Sequence, residues 1–394
     1  MNPRPDLDTL DRERLARLRA QIAAHDCAAG VFYDPTNIRY ATGTSNMQVY
    51  GLHNPCRYAV VPAEGPVVLF DFHGCEHLSA GSTVVDEVRS AVSWYHFIVG
   101  ERVEEKARLW AGEIADLVSR HGGGNRRVAV DRLDPAGLRA LEALGVSVVD
   151  GQAVANHARK IKTAQEQVAI RAAVANCERA LERMTAETRP GISERALWSH
   201  LHQANIELGG EWIETRLLAS GPRTNPWYQE CSSRLIEDGD LVAVDTDLIG
   251  AWGYSADISR SWIAGERRAS DEQRRLYAAA FEQVTRNIPL CQPGASFRDI
   301  AHAGWQLPER YYEQTNTALA HGIGLCNEYP LIVNRQHWQA GGVEGVVEPG
   351  MVLCVESFAG EPGGREGVKL EQQILVTDTG PELLSTHPLE EHML

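Results

Sequence analysis

Three stretches in the second half of the chain, LVAVDTD (241–247), GMVLCVESF (350–358) and GVKLEQQILV (367–376), alternate apolar and polar residues. That pattern predicts strands of a curved antiparallel sheet with one wet face. Each stretch also carries acids at positions that should be apolar: Asp245 and Asp247, Glu356, and Glu371. Asp257 in GYSADISRSW and His321 in ALAHGIGL break similar segments. Residues two apart on a regular strand share a face, so Asp245 and Asp247 are expected to address one site. A fold that satisfies this pattern has to gather acids on one side of a sheet.

Any one of these six residues alone reads best as a solvated or hydrogen-bonded polar group. Together they read as a site, because carboxylates packed within a few ångström in an apolar sheet repel strongly unless a cation neutralises them. Oxygen donors with one imidazole suit iron, manganese, cobalt or zinc. Five acids exceed the charge of one divalent ion, so two metal ions are expected.

The first half reads differently. AAGVFYD (28–34), PVVLFDF (66–72), RVAVD (127–131) and VSVVD (146–150) look like strands, and Val103, Ala107, Trp110, Ile114, Leu117 and Val118 recur at helical spacing between them. A capping box, Thr163 with Glu166, opens a long apolar stripe, and helices are also expected over 193–209 and 271–288, the latter capped by Ser270 with Gln273. An α+β chain of two domains follows, 1–155 and 156–394, in keeping with a length of 394 residues.

Composition narrows the function classes. Against 53 acidic residues stand 38 Lys and Arg, a net charge of −15, which repels phosphate backbones and anionic membranes, so no nucleic-acid or membrane partner is expected. No run of about 18 apolar residues and no apolar signal core occurs, which reads as cytoplasmic. The eight cysteines are scattered without a CxxC pair. His200, His302 and His337 lack ligand spacing, and HGIGLC lacks a nucleotide-binding pattern.

The ordered set Asp245/Asp247, Asp257, His321, Glu356 and Glu371, with HGIGL and GVKLEQ around two of them, resembles the pita-bread superfamily of methionine aminopeptidase, aminopeptidase P, prolidase and creatinase. NIRYATG (37–43) resembles a motif of the creatinase-type N-terminal domain, and RKIKTAQE (159–166) the start of the catalytic domain. The resemblance implies a creatinase-like α/β domain followed by a pita-bread domain. It also implies that Asp257 and Glu371 bridge two metals, that His321 and Glu356 bind one and Asp245/Asp247 the other, and that the protein is a homodimer whose partner's N-terminal domain covers the pocket mouth.

Departures from the peptidase pattern bear on substrate. Thr317, Asn327 and Tyr228 stand where peptidases of this superfamily carry histidines. The Asp-x-Asp pair, with SGPRTNPWYQE (220–230) upstream, most resembles the superfamily's metal-dependent dimethylsulfoniopropionate lyases, which eliminate dimethyl sulfide to leave acrylate. Those lyases place an aspartate base where this chain has Asn327, so either another group, such as Asp247, Glu328 or Tyr228, takes the proton or the substrate is a different one. Trp227, Tyr228, Trp252, Tyr254 and Tyr329 are candidate faces for an onium group, with Trp94 and Tyr95 from the first domain. Arg223 and Arg260 are each candidates either for pairing with the substrate carboxylate or for steadying the metal ligands. Three readings follow: an elimination from a small carboxylated onium compound; a hydrolase of Xaa-Pro dipeptides or small amides, with Glu356 deprotonating a bridging water; and a metal-bearing binding protein without turnover.

Overall fold

The computed structural model describes residues 3–390 and 393–394. The chain divides into two compact units, Pro5–Arg159 and the residues from Lys160 onward. The division falls after Arg159 rather than 155 because the helix Gly151–Arg159 runs on, burying Val154, Ala155 and Ala158 within the first unit.

In the first unit, β1 (Ala29–Phe32), β2 (Tyr58–Pro62), β3 (Val68–Asp71), β4 (Glu87–Ser90), β5 (Arg127–Val130) and β6 (Ser147–Asp150) form one mixed sheet in the order β4-β3-β2-β1-β5-β6. The helix Val103–His121 buries the stripe Ala107, Trp110, Ile114, Leu117 and Val118, as its 3.6-residue spacing requires. Its Trp110 packs with Trp94, ring centroids 5.3 Å apart, and Tyr58 stacks on Phe70 at 4.5 Å. Trp94 is therefore a core residue, with Tyr95 stacked against it at 5.1 Å.

The second unit opens with the helix Ala164–Glu187, whose capping box joins Thr163 and Glu166 reciprocally. The helices Glu194–Glu207, capped by Ser193, and Asp271–Asn287, boxed by Ser270 and Gln273, follow where the periodicity placed them. Two three-stranded sheets come from β7 (Trp212–Ile213), β8 (Leu218–Ser220), β9 (Leu241–Val244), β10 (Leu248–Ile249), β11 (Ser255–Ala256) and β12 (Arg260–Ile263), in the orders β11-β10-β7 and β12-β9-β8. A five-stranded antiparallel sheet, β14-β13-β15-β16-β17, is built from β13 (Ala318–Ile323), β14 (Asn327–Val333), β15 (Val352–Gly360), β16 (Gly367–Thr377) and β17 (Gly380–Leu383).

Register sets the site. His321 lies opposite Cys354, and Glu356 opposite Glu371. Directly opposed residues share a face, and so do residues two apart along a strand, so His321, Cys354, Glu356, Lys369, Glu371 and Gln373 all project from one side of this sheet.

Candidate metal centre and active site

The Asp-x-Asp pair reaches the site by a route the alternation did not predict. β9 ends at Val244, and the next three residues leave the strand. Asp247 takes φ 36°, a left-handed backbone that Asp tolerates better than most residues. Thr246, fully buried, pins the turn: its hydroxyl donates to the Ala256 carbonyl at 3.2 Å and accepts from the Ile258 amide at 2.9 Å. The amide of Asp247 then donates to Asp257 Oδ1 at 3.3 Å. The shared site therefore comes from a broken strand, not a regular one.

Two clusters of ligand atoms result, each with its members within 4.8 Å of one another: Asp257, His321, Cys354 and Glu371, and Asp245, Asp247 and Asp257. Asp257 belongs to both. Glu356 belongs to neither; its Oε2 accepts from Lys369 Nζ at 3.0 Å and from the Asn316 amide. Lys369 also reaches Glu371 Oε2 at 2.7 Å, Asp245 Oδ2 at 3.3 Å and Ser259 Oγ at 2.9 Å. Ser259 donates to Asp245 Oδ1 at 2.6 Å, Thr215 to Asp247 Oδ2 at 2.6 Å, and His321 Nε2 lies 3.2 Å from Glu371 Oε1.

The donor set fits divalent cations. Glu356 and Glu371, like charges directly opposed on adjacent strands, repel without a counter-ion. Burial and then the neighbouring Asp247, Glu371 and Asp245 raise the Asp257 carboxyl well above its ordinary range. Burial likewise pushes Asp245 up to about 7, opposed by Lys369. His321 is pushed up to about 9: burial opposes its charge, but the hydrogen bond to Glu371 and that carboxylate's charge prevail. Glu371 is lowered, since Lys369 and His321 outweigh the cost of its burial. In this state protons and Lys369 supply the positive charge. Five carboxylates and one ammonium leave four negative charges beside a neutral imidazole, which two divalent ions would cancel.

A cleft of about 640 Å³ opens onto these groups. Its lining includes Asp245, Asp247, Asp257, His321, Glu356, Glu371, Tyr228 and Asn327 from the predicted set. Tyr228, 68% exposed, is held at φ 70°. Burial of its hydroxyl and then the charge of Glu356 raise its pKa above the usual phenol value. Glu328 also lines the cleft, but its carboxylate receives Lys162 at 2.7 Å, both side chains 1% exposed, and the Leu325 amide at 3.0 Å.

Five predicted substrate contacts are not among the lining residues. Arg223 pairs with the buried Glu194 and donates to the Glu230 carbonyl at 2.9 Å, locking the loop that carries Tyr228. Trp227 is buried against Phe358, centroids 5.9 Å apart. Tyr254 is a core residue whose hydroxyl donates to Glu166 Oε1 at 3.0 Å. Tyr329 packs edge-on to Phe297 at 6.0 Å, and Trp252 sits at φ 59° in the single turn Ala251–Gly253. Arg260, 2% exposed, donates to the Glu371 carbonyl at 2.7 Å and to the His387 carbonyl at 2.6 Å, steadying the strand beneath the acids.

Sequence reasoning missed Lys369, Ser259, Thr215, Asn316 and the cleft carboxylates Glu214 and Glu230. Only Lys369 left a signal: it stands two residues before Glu371, where period-2 alternation puts it on the same face.

An α/β domain followed by a sheet-borne acidic centre defines a two-domain metalloenzyme. A family model for the creatinase/prolidase N-terminal domain matches residues 14–161, and one for metallopeptidase family M24 matches residues 168–378. The chain belongs to metallopeptidase family M24, whose chemistry rests on divalent metal ions. It is an enzyme. It is 40% identical to dimethylsulfoniopropionate lyase DddP of Roseovarius nubinhibens, over 99% of this chain and 89% of that protein. It is 38% identical to the protein of the same name from Roseobacter denitrificans, over 99% and 88%. The fold superposes on an Xaa-Pro dipeptidase from Bacillus anthracis with TM-score 0.76, at 22% identity, covering 96% of this chain and 99% of that one. Among the described residues no helix is long and apolar enough to cross a membrane.

Proposed function

We propose that the chain is a metal-dependent lyase that cleaves dimethylsulfoniopropionate, or a close carboxylated onium compound, to dimethyl sulfide and acrylate. The observation that carries this reading is the near-full-length likeness to two lyases of that name. Asp245, Asp247, Asp257, His321 and Glu371, joined by Glu356, would hold two divalent ions, iron foremost, with manganese, cobalt or zinc also suited to the donors. When bound, such ions draw on the substrate carboxylate and acidify the adjacent C–H.

The chain's own groups do the rest. Asp247, the least buried acid of its cluster, takes the proton from the carbon next to the carboxylate. The electron pair left on that carbon becomes the double bond of acrylate. The C–S bond breaks with its electrons on sulfur, and neutral dimethyl sulfide departs. Glu328 is unsuited to the role because Lys162 occupies it, and the Asn327 amide is not basic. Tyr228, protonated at neutral pH, presents an aromatic face to the sulfonium at the cleft. By the family resemblance the enzyme is a homodimer.

The test is headspace gas chromatography of iron- or manganese-loaded protein with dimethylsulfoniopropionate, beside a chelated control. Metal-dependent dimethyl sulfide is the expected result. Silence from loaded protein that releases proline from Xaa-Pro dipeptides would replace the lyase with a hydrolase. Thermal stabilisation by substrate with no product in either assay would leave a binding protein. Tyr228→Ala is expected to raise KM about tenfold with kcat little changed, the size of one cation–π contact shared by ground and transition states.

A further inference from the structure

Lys369 is 1% exposed, and its ammonium sits among the acids rather than beside them. Its contacts divide the cluster. Asp245, Glu356 and the outer oxygen of Glu371 face the lysine, while among the described residues no ion pair joins it to Asp247, Asp257 or His321. Of the three acids that face the lysine, Asp245 and Glu371 still belong to the groups that fit an ion, both of which are built around Asp257, and Glu356 alone belongs to neither. Asn316 holds the same Glu356 oxygen from the other side.

We propose that Lys369 is a resident cation with two opposed effects: it keeps the carboxylates assembled before any metal arrives, and it weakens the metal's hold on them. Buried carboxylates left without a cation are strongly destabilising, so the lysine preserves the fold of the empty centre. An ion that draws in Glu356 must take an oxygen shared with an ammonium of like sign, at short range in a poorly screened interior, so the lysine lowers affinity there. Glu356 is thereby the last acid to join the centre. Lys369 is a positioning residue, not a group that meets substrate. The inference rests on the metal-site reading alone and is independent of which substrate is cleaved.

The experiment compares wild type, Lys369→Met and Lys369→Arg by thermal unfolding after chelation and by calorimetric titration with Co(II). For Lys369→Met, a lowered melting temperature in the metal-free form and Co(II) affinity raised about tenfold are expected, one unit charge having been removed from the cluster. Lys369→Arg is expected to retain metal-free stability near wild type. Lys369→Met protein that unfolds on chelation but refolds with Co(II) also supports the proposal. Metal-free stability and Co(II) affinity both unchanged in Lys369→Met would overturn it. Loss of cooperative unfolding in chelated wild type would overturn it as well, without recourse to any variant. Changed Co(II) binding with no dimethyl sulfide from any form would sink the lyase and leave this inference standing.

Discussion

Asp257→Ala is expected to emerge from purification without bound metal and without turnover. Asp257 is the one residue common to both convergent groups, and it is 3% exposed on a stretch fixed by Thr246 and by Gln373, whose side-chain oxygen accepts from the Asp257 amide at 3.1 Å. Removing it leaves each group one donor short at once. Dimethyl sulfide release should fall by more than about 100-fold, beyond the cost of losing a residue that only supports a ligand. The fold should survive. Burial and three neighbouring acids disfavour the Asp257 carboxylate, so its removal takes from the metal-free protein a buried acid that is costly to ionise and deletes no favourable charge. The expected signature is therefore a chelated melting temperature at or above that of wild type, with no metal by elemental analysis. Unchanged turnover in this variant would refute the metal centre.

Asn327→Asp is expected to raise elimination about 100-fold, the lower range for a positioned general base. Asn327 opens β14 opposite Ile323, with its side chain exposed and lining the cleft. A carboxylate there would face the substrate without serving any cluster of ligand atoms. Asp247→Asn should lose most activity, and metal content separates loss of a proton acceptor from loss of a ligand. The double variant is decisive: if Asp247 covers for the amide at 327, Asn327→Asp restores turnover to metal-loaded Asp247→Asn. Failure of both Asn327→Asp and the double variant would remove position 327 from the chemistry and Asp247 from the acceptor role.

Much of this architecture was legible because its signals are local. Capping boxes at Thr163 and Ser270 and period-2 alternation around Glu356 and Glu371 name helices and strands directly. The acids announced themselves by being out of place. What failed depended on three dimensions. Alternation carried the strand through Asp247, although a positive φ and the Thr246 hydrogen bonds end it at Val244. Arg223, Trp227, Tyr254 and Tyr329 were near the motifs in sequence, but their partners Glu194, Phe358, Glu166 and Phe297 come from elsewhere in the chain and turn them into packing. Asn316 gave no sign, since its contact with Glu356 joins residues 40 apart in sequence.

The opposition of Glu356 to Glu371 bears on which changes of length this gene tolerates. A single codon gained or lost within β15 would shift the pairing by one residue and turn Glu356 from the site, and one within β16 would do the same to Lys369 and Glu371. No compensating point change restores that. The exposed residues between these strands, Glu361–Gly363, lie outside the ladder, and in-frame insertions there leave the pairing intact. Library variants of the gene should therefore accept length changes at this hairpin tip and reject them a few codons to either side.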